Sequence, residues 1–596
     1  MRNGYHHFVP DWSYRTVLRP LLFSLGHERA RRLATWTLGT IARTPFGPNF
    51  IDLLGHMRAD DRLRTTMGSL ELPGPIALGS LVDPSARASG ALARFGVGLI
   101  EVGPVAEQAN DARPEWCVDC DARTVEGSCE PVVALDELER NLRTAPAYAV
   151  RIASSDPAEV RRVVGRLEER ASMFVFDAQK PECIRAAQGK RPVFARITQA
   201  TAVPNDAEGV WVAGRFPQTL EIVKVLRASG VTLPIVAEGV TEPEDAKELL
   251  DAGASVAVVG PGLVVSGPGL VKRCNEALLS RMAVEPPEGL SLDAARRSWF
   301  WAFLLGIAMI LGGILATCIA ATRVLLPYDE NLSGLTREHL DRLNPHLLPF
   351  MTHDRISLAG TMLSIGIFYA ALGWYGIRRG AHWAQVTVIA SGTIGFVSFF
   401  FFLGFGYFDP FHAFVTAINT QFLLLCLVMQ PSPRQPVVPE WRETAAWRRA
   451  QWGQLIFVMI GVALTGAGAV IAAIGCTFVF VETDLAFMQT TAQQLHQSYE
   501  MLYPLVAHDR ASLGGMLLAN GVTVLLCALW GFRAGARWLW TALALGGNIA
   551  FSLATVVHLV VGYHSPLHLT PAMLGWVGWN LGLALTWEWM RKPAAA

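Results

Sequence analysis

The chain has 596 residues, and its 50 Lys and Arg balance its 50 Asp and Glu. No global positive charge marks it as a nucleic-acid binder. Hydrophobic residues reach 52% and charged residues only 17%, which leans toward a membrane protein, and the charges crowd residues 1–298 while long apolar runs crowd the remainder.

Met1–Pro20 carries His, Arg and Asp but no apolar core, so it does not read as a secretory signal. The nine cysteines are scattered, and Cys318, Cys426, Cys476 and Cys527 lie inside apolar runs. That pattern is not a disulfide framework. Cys117-Val118-Asp119-Cys120, with Cys129 nearby, has metal or redox spacing, but one such pair without a second is a weak signal.

Through the first half, short apolar runs alternate with charged helical stretches. The expected strands are Ile76–Gly79, Gly98–Gly103, Tyr148–Ser154, Met173–Asp177, Val193–Thr198, Gly209–Ala213, Pro234–Glu238 and Ser255–Gly260. Strand–helix alternation of this kind predicts a TIM-type (β/α)8 barrel, with a doubly wound sheet as the alternative.

Several segments in this half carry a family likeness. Arg19-Pro20-Leu21-Leu22-Phe23-Ser24-Leu25-Gly26-His27-Glu28-Arg29-Ala30 leads in. Gly74-Pro75-Ile76-Ala77-Leu78-Gly79-Ser80-Leu81-Val82-Asp83 and Phe95-Gly96-Val97-Gly98-Leu99-Ile100-Glu101-Val102-Gly103-Pro104-Val105 follow. Pro234-Ile235-Val236-Ala237-Glu238-Gly239-Val240 and Gly267-Pro268-Gly269-Leu270-Val271-Lys272 close the series. In this order and spacing, residues 14–280 resemble the membrane-associated, quinone-linked dihydroorotate dehydrogenases. The resemblance implies FMN, oxidation of dihydroorotate to orotate and electron transfer to quinone. It also implies that the N-terminal helices, with Arg29, Arg31 and Arg32, lie on the membrane and shape a quinone tunnel, with packing against the fused spans as the alternative.

The chain departs from that family at the positions that carry the chemistry. Pro84 stands where the family has Lys. Val125-Glu126-Gly127-Ser128-Cys129-Glu130 replaces an Asn-rich substrate turn. Asp177-Ala178-Gln179-Lys180-Pro181-Glu182 replaces the segment that holds the catalytic Ser, so the hydroxyl base is missing and no catalytic residue is assigned. Arg196 replaces a flavin-contacting Lys, and Val212-Ala213-Gly214 an Asn-Thr-Thr strand end. Gly239, Gly260, Gly262 and Gly267 remain as candidate phosphate-end glycines, with barrel turns as their plainer reading. Glu238 adds a negative charge where a phosphate would sit.

From Trp299 onward, eight runs are long enough to cross a bilayer: 299–321, 355–375, 383–405, 411–430, 454–480, 511–531, 538–561 and 570–590. Arg296 and Arg297, Arg378 and Arg379, Arg434 to Arg449, Arg533 and Arg537, and Arg591 with Lys592 all fall on one side of eight spans. That side is expected to be cytoplasmic, together with the barrel and the C-terminus.

The membrane half reads as two parallel four-helix repeats. His353-Asp354-Arg355-Ile356-Ser357-Leu358 recurs as His508-Asp509-Arg510-Ala511-Ser512-Leu513. Gly376-Ile377-Arg378-Arg379-Gly380 recurs as Gly531-Phe532-Arg533-Ala534-Gly535, and Gly406-Tyr407 with Pro410 and His412 as Gly562-Tyr563 with Pro566 and His568. One reading makes Asp354 and Asp509 helix N-caps. Another pairs His353 with His412 and His508 with His568 as ligands for haem or a metal, or as a proton-linked site. A third is an extracytoplasmic partner site.

The expected organisation is a membrane-facing helical segment (1–58), the barrel (59–285), a linker (286–298), the first repeat (299–430), a cytoplasmic linker (431–453) and the second repeat (454–590). The expected partners are the lipid bilayer and quinone, and no nucleic acid. The function expected is a multi-pass inner-membrane protein whose barrel has lost dihydroorotate oxidation and binds a ligand or supports the membrane half. The alternatives are an active FMN-dependent oxidoreductase, or a haem, metal, sensor or transport function in the repeats.

Overall fold

A computed structural model describes residues 11–55, 60–110, 116–120, 124–127, 130–143, 146–200, 203–280, 292–398, 410–432, 444–498 and 501–591. Cys129, Ser128, Gly406, Tyr407 and the end of the expected third span lie outside these residues. The chain divides into two compact units, essentially residues 1–283 and 284–596.

In the first unit eight strands close a parallel barrel: β1 (Ile76–Leu78), β2 (Leu99–Ala106), β3 (Ala147–Ile152), β4 (Met173–Asp177), β5 (Val193–Ile197), β6 (Gly209–Val212), β7 (Ile235–Val240) and β8 (Val256–Val259). Each strand pairs with the next in sequence, and β8 returns to β1, which settles the barrel over the doubly wound sheet. Alternation along the strands sorts the side chains. Ala77, Leu99, Ala149, Met173, Val175, Phe194, Trp211, Val236, Val256 and Val258 fill the interior. Ile100, Val150, Phe174, Phe176 and Val210 point out to a second core under the helices. Met67 and Leu72, from a short hairpin (Thr65–Met67 and Leu70–Leu72), join the interior cluster. The N-terminal segment is tied to the last barrel helix: Arg273 donates to Asp11 at 2.5 Å, and Arg19 Nη1 to the Val265 carbonyl at 3.0 Å.

The second unit contains eight long helices among the described residues: α1 (Ser298–Thr322), α2 (Leu347–Ala371), α3 (His382–Ser398), α4 (Pro410–Val428), α5 (Ala445–Gly475), α6 (Leu502–Trp530), α7 (Arg537–Val561) and α8 (Pro566–Arg591). Among the described residues six helices, α1, α2, α4, α5, α6 and α7, are long and apolar enough to cross a membrane. They do not form two separate four-helix groups. Following contacts, the order around the unit is α1, α2, α7, α8, α5, α6, α3, α4 and back to α1, with α2 also touching α6. The third helix of each half therefore packs on the second helix of the other half, through α2–α7 and α6–α3, while the fourth packs on the first and third helices of its own half.

Glycines allow the tightest approaches. A Cβ on Gly306 would lie 2.2 Å from the Ala370 backbone nitrogen, and one on Gly468 would lie 2.2 Å from that of Leu518. Small residues at helix contacts are the usual means of close packing in a bilayer. At the end of α2 away from the His-Asp-Arg motif, Arg378 lies 4.6 Å from the Trp374 ring centroid, and Arg591 lies 3.8 Å from that of Trp587. Basic and indole side chains suit a membrane interface.

Candidate functional site

The barrel mouth is built from the last inward layer of the strands. Glu101 (β2), Arg151 (β3), Arg196 (β5) and Glu238 (β7) all line one cavity of about 230 Å³, with Gly79, Gly214, Gly239 and Gly260 from the strand ends and Arg31 from the N-terminal helices. The register of β7 against β8 slips between Glu238 and Val240. Gly239 sits at that bulge with φ +111°, and a bulge re-aims the neighbouring side chain. A similar slip on β2 falls at Gly103-Pro104.

These charges are used on one another. Arg151 Nε lies 3.3 Å from Glu101 and its Nη2 bonds Glu130, while Glu101 Oε2 accepts from the Ser80 N–H at 2.8 Å. Burial works against the charge on Arg151, but Glu101 and Glu130 hold it more firmly protonated than an ordinary arginine. Across the mouth, Glu238 accepts from Trp211 Nε1 at 2.7 Å and from the Gly214 N–H at 3.3 Å, with Arg196 at 3.5 Å. Burial pushes the Glu238 carboxyl up; Arg196 opposes this and Glu101 adds to it.

Of the residues singled out in sequence, Arg196, Gly239 and Gly260 reach this cavity, together with Pro84, Val125, Glu130, Gly214 and Glu238. Gly262 and Gly267 are not among its lining residues. A Cβ on Gly262 would meet the Val240 carbonyl at 3.0 Å, and one on Gly267 (φ +90°) would meet the Tyr14 ring at 2.6 Å, so these two are packing glycines. Asp177 ends β4 exposed, its carboxylate accepting from the Gln179 N–H at 3.1 Å. Cys117 and Cys120 are exposed and free on a hairpin with strands Trp116–Asp119 and Thr124–Gly127. A second cavity of about 700 Å³ adjoins the mouth at Arg31, Pro84 and Pro131 and is lined by charged groups including Glu28, Arg32, Asp83 and Arg87.

In the helical unit the two His-Asp-Arg motifs meet each other. Arg355 Nε donates to Asp509 at 2.8 Å and Arg510 Nε to Asp354 at 3.2 Å. Each arginine also reaches back into its own half: Arg355 to Asp329 at 3.0 Å, and Arg510 to Asp484 at 2.6 Å. The helix-cap reading of Asp354 and Asp509 is corrected here. The helices α2 and α6 begin at Leu347 and Leu502, so both aspartates lie inside them and serve arginines.

The expected histidine pairs are also rearranged. His412 stacks on His508 with ring centroids 5.3 Å apart, while His353 faces His558, Nε2 to Nε2 at 3.1 Å. His568 Nδ1 lies 3.4 Å from the Tyr563 hydroxyl, which donates to Asp484 at 2.8 Å. The interlocked helices bring each motif beside the other half's turn. Among the described residues, no group of three His, Cys, Asp or Glu side chains is placed to hold a metal ion. His558 was not a sequence candidate, because it is a lone histidine within the apolar run of α7.

The fold and the charged mouth define an α/β barrel joined to an apolar helical unit. No family model matches the chain. The quinone-type dihydroorotate dehydrogenase of Chloroflexus aurantiacus is 24% identical over 355 aligned positions, covering 46% of this chain and 98% of that protein. That of Cupriavidus pinatubonensis is 26% identical, covering 44% of this chain and 97% of that protein. A ligand-free dihydroorotate dehydrogenase structure from Eimeria tenella is 16% identical with a TM-score of 0.36, covering 43% of this chain and 94% of that one. The N-terminal part of the chain is thus a dihydroorotate dehydrogenase-like barrel, followed by a helical, apolar C-terminal region.

Proposed function

We propose that this is a multi-pass membrane protein whose barrel no longer oxidises dihydroorotate and serves as a ligand-binding or supporting domain for the helical unit. The observation that carries this reading is the self-neutralised mouth: Glu101, Arg151 and Glu130 pair with one another, and Glu238 takes up Trp211, Gly214 and Arg196. In the barrels that it resembles, that face holds FMN and substrate. Here the donors that would serve a phosphate already serve a carboxylate. Glu238 would therefore compete with an FMN phosphate for these donors, and Asp177–Glu182 supplies no hydroxyl base.

The bilayer is the first partner in this reading, and the arginine-rich loops support a barrel and C-terminus on the cytoplasmic side of the inner membrane. Exposed Leu21, Trp36, Phe46 and Phe50 on the N-terminal helices suit contact with lipid.

An absorption spectrum of the full-length protein in detergent, before and after dithionite, tests the proposal. The expected result has no flavin bands. Flavin bands that bleach would instead favour a second reading, a flavin oxidoreductase that reduces quinone, which rests on similarity across 98% of a quinone-type relative. That reading further requires the chain to rescue a pyrimidine-requiring strain. A Soret band would revive haem bound by the histidines.

A further inference from the structure

The contact between His353 and His558 fixes a count of hydrogen atoms. His558 Nδ1 lies 2.6 Å from the Ala554 carbonyl, which only accepts, so that nitrogen carries a hydrogen. His353 Nδ1 lies 2.9 Å from Asp354 Oδ1, and Asp354 also accepts from Arg510. One hydrogen therefore bridges this second contact. The two Nε2 atoms face each other at 3.1 Å, and a contact this short between ring nitrogens needs a hydrogen between them. Three contacts require three hydrogens. Two neutral imidazoles over a carboxylate supply only two.

The surrounding charge agrees with that count. Asp329, Asp354, Asp484 and Asp509 are all at most 3% exposed, and Arg355 and Arg510 bridge them. A proton on the histidine pair adds positive charge beside buried Asp354, which favours it in a medium of low dielectric constant.

We propose that His353 and His558, held between Asp354 and the Ala554 carbonyl, form a binding site for one proton shared between their Nε2 atoms. The proton forms an N–H bond on one ring and a hydrogen bond to the lone pair of the other. Its release leaves one of the three contacts without a hydrogen: the two Nε2 lone pairs then face each other, or His353 Nδ1 faces Asp354 with no hydrogen between them, and that contact must open. His353 belongs to α2 and His558 to α7, so occupancy of the site bears on the contact between these helices.

The groups facing the pair are Asp354 on α2, Arg510 on α6, Asp484 from the short helix Glu482–Met488, Tyr563 with its ring centroid 5.4 Å from that of His353, and His568 beyond Tyr563. The packed helix α1 contributes no charged side chain. The site is independent of whether the barrel binds flavin.

The test is nitrogen NMR of the full-length protein, labelled with ¹⁵N-histidine and held in phosphatidylcholine vesicles, from about pH 5 to about pH 8. The expected spectrum contains one pair of imidazoles coupled directly through an N–H···N bond, and H353F and H558F each abolish that coupling. Wild-type protein with no two imidazoles sharing a hydrogen anywhere in that range overturns the proposal, whether or not either variant folds. Persistence of the coupling in folded H558F overturns it equally.

Discussion

Arg355 closes on Asp509, with Nε 2.8 Å from Oδ2, and thereby joins the His-Asp-Arg motif of one half of the helical unit to that of the other. The reciprocal bond from Arg510 to Asp354 makes the joint double. Both bonds lie beneath one shared apolar cap, in which Leu335, Leu340 and Phe350 pack with Phe480, Met488 and Leu505.

Removing one member of such a buried pair leaves an opposing charge without its partner, which costs about 3–5 kcal/mol. Asp509→Asn is therefore expected to lower thermal stability in detergent clearly. Arg355→Met is expected to lower it further, because Arg355 also holds Asp329 and the Val324 carbonyl. An Arg355→Met protein as stable as the Asp509→Asn protein would contradict the bridging role.

Two glycines on α5 separate packing from helix propensity. A Cβ on Gly468 would meet backbone atoms of Leu518, whereas a Cβ on Gly466 has nothing within 4 Å. Gly468→Ala should cost about 1–3 kcal/mol through overpacking, while Gly466→Ala should be neutral or slightly stabilising. Unfolding of the two variants in mixed micelles distinguishes the cases; equal effects would mean that α5 and α6 approach less closely.

Asp83 makes the barrel sensitive to pH. It is 2% exposed and accepts from the Arg87 and Ala88 N–H groups at 3.0 and 2.7 Å. Burial outweighs these bonds and raises its carboxyl from 3.8 to about 6. The folded state then binds the proton more tightly than the unfolded state. The associated stability is complete below the unfolded value and is lost as pH rises through about 6. Protection of the β1 and β2 amides in the intact chain, taken relative to the intrinsic exchange rate at each pH, should fall across that window, and Asp83→Asn should flatten that fall. A wild-type profile without a slope there would refute it.

If Glu238 stands in for an anion at the mouth, its removal should create an anion site. Glu238→Ala frees the Gly214 N–H and the Arg196 guanidinium that now face the carboxylate. Calorimetric titration with inorganic phosphate should show binding by the variant and none by the wild type. Equal binding by both would show that Glu238 does not compete for the site.

The barrel was legible because each of its strands is a short apolar run closed by glycine, proline or a charge. Met173–Asp177 begins and ends where the run does, and β1 through β8 all fall on expected segments. The two short hairpins carry no comparable pattern and were missed. In the helical unit, the recurrence of His353-Asp354-Arg355 marked the important residues but not their partners. Spacing along a chain shows what repeats; it does not show that α3 packs on α6 rather than on α2. For the same reason the ion trio of Glu101, Arg151 and Glu130 was invisible, since its members come from separate strands and a loop.

The interlocking of the helices bears on the order in which the protein is made. The helix α2 finds α7, and its arginine finds Asp509, only after most of the second half has left the ribosome. Until then Arg355 has Asp329 of its own half but lacks Asp509, and Asp354 lacks Arg510. The joint between the two halves therefore forms late, after α6 and α7 have been made.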